Sequence, residues 1–406
     1  MDLNLKLNNS CINKQITISG SKSITNRLHI INALSKLNIT LINQSNSEDS
    51  ELLKDALNTI NLKKGNIINV NHAGTDLRFL TAYLACTDGE WILSGSESLK
   101  KRPIKDLVEC LKSLDAQILY LEKEGFPPLQ INGKKLNGDK ISINGNVSSQ
   151  FISALLLVAP YFKNGLSIKI KDEIVSKPYI DMTISLMKQF NICVNWIKET
   201  IIVEAGEYKC KQNKFLIESD WSSASYWYSI ATLSKECNIV LSEFNLKSLQ
   251  ADSILPDIYD KLGVKTEILN NQIKLTKNKN SITNLNYDFT NCPDIAQTIA
   301  ATCVGLGITC NLTGLKTLKL KETDRLLALK NELKKFGAEI EITDSSLKIV
   351  DYTNSIKELE IETYNDHRMA LCIAPLALKF NNILIKNAEV VNKSYPKFWD
   401  DYNALI

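Results

Sequence analysis

Asn146-Val147-Ser148-Ser149-Gln150 runs directly into Phe151-Ile152-Ser153-Ala154-Leu155-Leu156-Leu157-Val158-Ala159-Pro160. Small polar residues that can accept from free N–H groups, then an almost wholly apolar run and a proline, predict a buried helix with a capped start. The phrase recurs at Asn71-His72-Ala73-Gly74-Thr75, Ser219-Asp220-Trp221-Ser222-Ser223, Asn291-Cys292-Pro293-Asp294 and Asn365-Asp366-His367-Arg368. The first residues of these five stretches are 72 to 75 positions apart. An earlier member, Gly20-Ser21-Lys22-Ser23, stands 51 residues before Asn71, in a shorter unit. Met369-Ala370-Leu371-Cys372-Ile373-Ala374-Pro375 repeats the apolar run down to its closing proline.

A second series runs out of phase with the first. It comprises Lys101-Arg102-Pro103-Ile104, Lys177-Pro178-Tyr179-Ile180-Asp181, Lys247-Ser248-Leu249-Gln250-Ala251-Asp252, Lys321-Glu322-Thr323-Asp324-Arg325 and Lys393-Ser394-Tyr395-Pro396. Each precedes an amphipathic helix pattern, such as 182–190 or 326–336. Alternating strand patterns follow, such as Ile192-Cys193-Val194-Asn195-Trp196-Ile197 and Ala338-Glu339-Ile340-Glu341-Ile342. A period of about 72 residues holding two helices and several strands is too long for a solenoid repeat. Six subdomain-sized units in two groups of three fit the two domains expected of 406 residues. If the helices begin at one end of their units, their free N–H groups and positive dipole ends converge on one cleft suited to anions.

Composition narrows the class. A hydrophobic fraction of 44%, a charged fraction of 23% and a net charge of +3 are those of a globular protein. Without a basic run or an aromatic-interleaved stripe, nucleic acid is not an expected partner. Residues 1–6 lack the apolar core of a signal peptide, and no apolar span reaches membrane length, so no membrane role is expected. Ten cysteines without a Cys-x-x-Cys pair read as reduced and mostly buried, in a cytoplasmic protein. His29, His72 and His367 have no ligand-like spacing, so no metal site is expected.

The chain has only five arginines among 48 basic residues: Arg27, Arg78, Arg102, Arg325 and Arg368. Each sits in a short polar motif, where a planar fork that grips carboxylate or phosphate has a use that lysine cannot fill. Gly20-Ser21-Lys22-Ser23-Ile24-Thr25-Asn26-Arg27 follows a strand pattern at 15–19, with Ser23 and Arg27 on one helical face; it lacks the glycine spacing of a Walker loop. In Lys321-Glu322-Thr323-Asp324-Arg325, Glu322 among cations is a candidate proton shuttle, against the plainer reading of ordinary ion pairs at a helix start. Asp294 is a candidate base next to a substrate hydroxyl, or a first-turn acid complementing the helix dipole. Ser148 and Ser149 are either caps or phosphate donors.

These motifs together resemble the 5-enolpyruvylshikimate-3-phosphate synthase family. The resemblance rests on residues 20–27, Ala73-Gly74-Thr75 with Arg78, Arg102-Pro103-Ile104, Ser148-Ser149-Gln150, Lys177-Pro178-Tyr179, Ser222-Ser223-Ala224-Ser225-Tyr226, Pro293-Asp294, 321–325 and 365–368. They occur in order over nearly the whole chain. The family fold it implies is α/β (α+β): two domains, each of three βαβαββ units, in an inside-out α/β barrel. One domain would be 20–218, and the other 1–19 plus 219–406. The implied reaction transfers the enolpyruvyl group of phosphoenolpyruvate to shikimate-3-phosphate, with no metal or organic cofactor, in a monomer.

Carried over by position, Lys22, Arg102 and Lys393 would hold the phosphate of phosphoenolpyruvate, and Arg325 and Arg368 its carboxylate. Gly74 would allow close backbone approach, and Gln150 would touch both ligands. Ser148, Ser149 and Ser176 would hold the shikimate phosphate, Ser23 and Arg27 its carboxylate, and Tyr179, Asp294 and Lys321 its ring substituents. Lys22, Asp294 and Glu322 would be the catalytic residues, and Arg78 a structural arginine near the site. Three positions depart from common family usage: His72, Phe79 and Thr317. One rival is a UDP-N-acetylglucosamine enolpyruvyl transferase, whose characteristic cysteine is absent from residues 97–101. The other is a non-catalytic sugar-phosphate-binding protein, which would be expected to have lost Lys22, Asp294 or Glu322.

Overall fold

The computed structural model describes residues 1–6, 11–35, 37–146, 148–245, 247–279, 281–353 and 358–405; Val147, inside the 146–150 phrase, lies outside them. The chain forms two compact units, Lys22–Ile217 and Met1–Ser21 with Glu218–Ile406.

Within Lys22–Ile217, the strand Ile67–Asn69, helix Gly74–Ala85, strand Gly89–Ser94, helix Lys105–Lys112 and strands Gln117–Tyr120 and Leu129–Gly133 make one βαβαββ unit. Its first two strands are parallel, with Ile67 opposite Ile92. The last strand lies antiparallel between the second and third, pairing Trp91 with Ile131 and Ile118 with Ile131. Lys140–Asn144, Ser149–Val158, Leu166–Lys171, Lys177–Gln189, Val194–Ile197 and Thr200–Val203 repeat this order and topology. A shorter group has the helices Lys22–Ser35 and Glu48–Asn61 and a parallel pair, Thr40–Ile42 with Lys214–Leu216.

The second unit repeats the plan. Cys11–Ile16, Trp221–Leu233, Glu236–Ser242, Leu255–Lys261, Val264–Leu269 and Gln272–Lys277 form one βαβαββ unit, whose first two strands pair in parallel with Cys11 opposite Glu236. Everything from Lys22 to Ile217 is thus inserted between the first strand and first helix of this unit. The chain leaves and returns side by side, where Ser21 N donates to Glu218 O at 2.8 Å and Ser219 Oγ to Ile18 O at 2.6 Å. Asn284–Asp288, Ala296–Leu306, Thr309–Thr313, Arg325–Leu333, Ala338–Ile342 and Leu347–Tyr352 form the next. The last is short: Glu360–Ile361, His367–Ile373 and Ile383–Ile385, with Leu3–Leu5 antiparallel to Ile383–Ile385.

Residue pattern sets the layering. Ser149–Val158, Trp221–Leu233 and Ala296–Leu306 are buried nearly all round; the first is almost wholly apolar, and the other two bury hydroxyls that pair across them, Thr302 Oγ1 donating to Ser229 Oγ at 2.8 Å. Strands such as Lys140–Asn144 alternate exposed and buried residues, so each covers the helices on one face and meets water on the other. Helices inside and sheets outside are the inside-out arrangement expected of the family. Among the described residues, no helix is long and apolar enough to cross a membrane.

Three local expectations shift. The helix expected at 182–190 begins at Lys177, because Pro178 in its first turn has no N–H to lose and its fixed φ suits a helix start. The helix expected at 326–336 opens one residue earlier, at Arg325 behind Asp324, whose side chain accepts from Leu327 N at 3.1 Å, and its regular part ends at Leu333. The strand expected at 15–19 is Cys11–Ile16; Ile18 and Ser19 leave the sheet to receive Ser219 and Asp220.

Candidate active site

In Lys22–Ile217 the starts of four helices are tied together by polar side chains. Arg27, one turn into Lys22–Ser35, is 2% exposed. It donates to Ser23 O (2.8 Å), Thr183 Oγ1 (2.7 Å), Ser153 Oγ (3.2 Å) and Tyr179 O (3.2 Å). Each of those acceptors is a neutral oxygen, so a buried charge is solvated by dipoles, and burial lowers its pKa to about 10. Gln150 Nε2 donates to Thr75 Oγ1 at 2.9 Å, joining the starts of Ser149–Val158 and Gly74–Ala85. Ser148 caps the former, accepting from Gln150 N at 3.3 Å, and Ser149 is buried beside it. Ser176, buried and at φ 55°, turns the chain into Lys177–Gln189, and Tyr179 N donates back to its carbonyl at 3.1 Å.

Gly74 lies under two arginines. A Cβ there would meet Arg102 Nη1 at 2.4 Å and Arg78 Nη1 at 3.0 Å. Arg78 donates to Gly74 O (2.9 Å) and Pro103 O (3.1 Å), tying the helix start to the stretch 102–104. Lys22 Nζ pairs with Asp49 Oδ2 at 2.9 Å. Behind it, Ser50 Oγ donates to Asn26 Oδ1 (2.6 Å) and Asn26 Nδ2 to Asp76 Oδ1 (2.8 Å), a buried chain linking three helices. A cavity of about 790 Å³ lies at the opposite ends of these helices, around Tyr83, Cys86 and Trp91, and none of the candidate residues lines it.

The other unit concentrates charge. Arg325, 2% exposed, donates to Asp366 Oδ2 through Nε (2.7 Å), to Glu322 Oε2 through Nη2 (2.7 Å) and to Asp294 Oδ1 through Nη1 (3.3 Å). Glu322 Oε1 receives Lys393 Nζ at 2.7 Å. Asp294 also faces Lys321 Nζ (3.4 Å) and Arg368 Nη2 (3.4 Å), while Arg368 Nη1 donates to the Asp294 carbonyl (2.8 Å). Arg368 reaches Ser222 Oγ at 3.5 Å, and Ser222 donates to the buried Asp252. Asp294, Lys321, Glu322, Arg325, Arg368 and Lys393 therefore form one cluster at the starts of Trp221–Leu233, Ala296–Leu306, Arg325–Leu333 and His367–Ile373.

The electrostatics follow from this crowding. Burial works to raise the Asp294 pKa, but Arg368, Lys321 and Arg325 outweigh it and hold the carboxyl well below the usual range. Burial depresses Lys321, against the attraction of Asp294. Burial also disfavours the Arg325 cation, yet Asp366 and Glu322 overcome that and hold it more firmly charged than usual. Burial, reinforced by Asp294, pushes Asp252 up to about 7.

Three carboxylates, Asp294, Glu322 and Asp366, set among four fixed cations beside several helix starts are an arrangement that can hold anions and carry protons. Comparison with known proteins agrees. The model of the family EPSP synthase (3-phosphoshikimate 1-carboxyvinyltransferase) matches residues 56–402. The chain belongs to the EPSP synthase family. It is 44% identical over 398 residues to a 3-phosphoshikimate 1-carboxyvinyltransferase of Bacteroides fragilis, covering 97% of this chain and 95% of that one. It is 33% identical over 423 residues to the enzyme of that name from Haemophilus influenzae, covering 98% and 97%. In fold it matches EPSP synthase from Acinetobacter baumannii, with a TM-score of 0.77, 20% identity and coverage of 100% and 98%. The enolpyruvyl transferase NikO from Streptomyces tendae has a TM-score of 0.73, 11% identity and coverage of 99% and 96%.

Two acids that pair with cations here, Asp49 on Lys22 and Asp366 on Arg325, and a third that accepts from Ser222, Asp252, carry no signal of that in the sequence. Asp366 sits in a motif where the rare arginine draws the eye, and its second task, accepting from Arg368 N at 2.9 Å, is that of an ordinary cap. Asp49, in the first turn of Glu48–Asn61, looks like a first-turn acid.

Proposed function

We propose that this chain joins phosphoenolpyruvate to the 5-hydroxyl of shikimate-3-phosphate, giving 5-enolpyruvylshikimate-3-phosphate and inorganic phosphate, on the route to chorismate and the aromatic amino acids. Full-length similarity to enzymes named for this reaction supports it. The observation that carries the reading into chemistry is Glu322 and Asp294 sharing the buried Arg325.

Lys22, Arg102 and Lys393 hold the donor phosphate, Arg325 and Arg368 its carboxylate, and Gln150 touches both ligands; the bare Gly74 backbone lets the donor approach. Ser148, Ser149 and Ser176 take the acceptor phosphate, Ser23 and Arg27 its carboxylate, and Tyr179 and Lys321 its ring oxygens. The neutral surroundings of Arg27 favour this role, because a carboxylate would compensate a buried charge that dipoles alone now solvate. As the 5-oxygen bonds to C2 of phosphoenolpyruvate, Asp294 takes its proton and C3 gains one. Loss of C3's proton and of phosphate from the tetrahedral adduct, by C–O cleavage, then restores the enol ether. Lys22 and Glu322 serve the proton transfers at C3. An anion seated on Arg325, Arg368 and Lys393 competes with Glu322 and Asp294 for those cations. Asp294, held well below the usual carboxylate range by its cations, regains proton affinity as the substrate anion draws on them. Fixed cations also offset the repulsion between two polyanions. A cytoplasmic monomer completes the proposal.

The test is phosphate release by purified protein given shikimate-3-phosphate and phosphoenolpyruvate, each omitted in turn, with UDP-N-acetylglucosamine as the rival acceptor. Release is expected only with the first pair and is expected to fall by about 10²–10⁴ in Glu322→Ala. Release with the UDP-sugar alone, or with neither acceptor, overturns the proposal.

A further inference from the structure

Glu332 lies near the end of the helix that Arg325 opens, is 1% exposed, and touches no residue proposed to contact substrate. Its Oε2 accepts from Lys335 Nζ at 2.6 Å and from Glu362 N at 3.1 Å, and its Oε1 accepts from Tyr364 OH at 2.7 Å. Lys335 continues to the Glu360 carbonyl at 2.6 Å. Three of these four bonds therefore hold one short stretch, 360–364, against the far end of the helix. Tyr364 and the next residue, Asn365, both have left-handed backbone, at φ 53° and 54°. Consecutive non-glycine residues in that region persist only where their surroundings fix them. The turn delivers Asp366, which is fully buried, grips Arg325 through Nε and Nη2, and caps the N–H of Arg368.

The stretch is thus pinned to one helix at two points: Asp366 on Arg325 at its start, and Glu362 with Tyr364 on Glu332 seven residues, or about 10 Å, further along. An exposed acid would have satisfied Lys335 as well. Burying a carboxylate is unfavourable unless its oxygens are filled, and here they are filled by the strained turn. We propose that Glu332 and Tyr364 are positioning residues that set the places of Arg325 and Arg368 through Asp366, and so tune recognition of the donor carboxylate. This rests on the enolpyruvyl-transfer reading above.

Tyr364→Phe removes one hydroxyl, Glu332→Gln keeps an acceptor without the charge, and Glu332→Ala removes both. The full-length variants are compared with wild type by steady-state phosphate release, varying each substrate, and by amide hydrogen exchange of peptides covering 360–368. The expected result is a KM for phosphoenolpyruvate raised about 5- to 10-fold in Tyr364→Phe and more in Glu332→Ala, with partial rescue in Glu332→Gln. The KM for shikimate-3-phosphate should stay within about twofold, and exchange should quicken in the turn. A merely structural role would instead lower kcat through lost active protein, with both KM values unchanged, and would overturn the proposal. If wild type releases no phosphate, the reaction reading falls by itself. The clamp is then judged by exchange: unchanged protection of the turn in Tyr364→Phe and Glu332→Gln removes it.

Discussion

Lys393 Nζ stands 2.7 Å from Glu322 Oε1, although 71 residues separate the two in the chain. The other oxygen of Glu322 is taken by Arg325, so a cation holds each side of one carboxylate. Lys393→Met keeps most of the buried stem and removes the charge. One charge-assisted bond of about 1.5–3 kcal/mol predicts a kcat/KM for phosphoenolpyruvate lower by about 10- to 100-fold. Varying each substrate in turn checks this, and an unaltered KM for phosphoenolpyruvate would remove Lys393 from the donor site.

Gly74→Ala tests close approach. The new methyl would press on Arg102 Nη1 and Arg78 Nη1, the far ends of flexible side chains, while the helical backbone accepts alanine. Folding should change by less than about 1 kcal/mol, whereas the KM for phosphoenolpyruvate should rise about tenfold as Arg102 is displaced. Thermal melting beside donor-varied kinetics separates the two effects. A variant that binds donor normally would show that Arg102 has room to spare.

Asp252 makes stability depend on pH. Burial and the nearby Asp294 raise its pKa to about 7, from 3.8 in a free side chain. The folded state binds the proton more tightly, so this contribution is full below pH 3.8 and is lost as pH rises through 7. The span corresponds to about 4 kcal/mol. Asp252→Asn, which stays neutral, should therefore melt higher than wild type at pH 8 and show a smaller difference between pH 5 and pH 8. Melting curves at several pH values decide this; parallel profiles for the two proteins would rule out Asp252 as the source.

The architecture was legible where residue pattern and structure share a period. The spacing of Asn71, Asn146, Ser219, Asn291 and Asn365 marks helix starts because each helix needs its first N–H groups satisfied whatever lies around it. Ala338–Ile342 was readable because one face meets water and the other does not. Glu360–Ile361 and Ile383–Ile385 were not, since strands of two or three residues carry no period; nor was the pairing of Leu3–Leu5 across the whole chain. The cations stood out because arginine is scarce. Their acids did not, because a lone aspartate before a helix reads as a cap. Glu332 was hidden differently: Lys330-Asn331-Glu332 looks like the wet face of an amphipathic helix until residues 360–364 fold over it.

The insertion of Lys22–Ile217 between Cys11–Ile16 and Trp221–Leu233 imposes an order on biogenesis. Cys11–Ile16 leaves the ribosome early, but its sheet partner Glu236–Ser242 is made more than 200 residues later. At about 5–20 residues per second, that strand waits on the order of 10–40 s with its pairing edge open. The inserted unit closes its own outermost strands, Thr40–Ile42 on Lys214–Leu216, before the host can begin. The part of the protein translated in the middle is therefore the first that can be finished, and the host sheet depends on a strand kept soluble until the chain comes back for it.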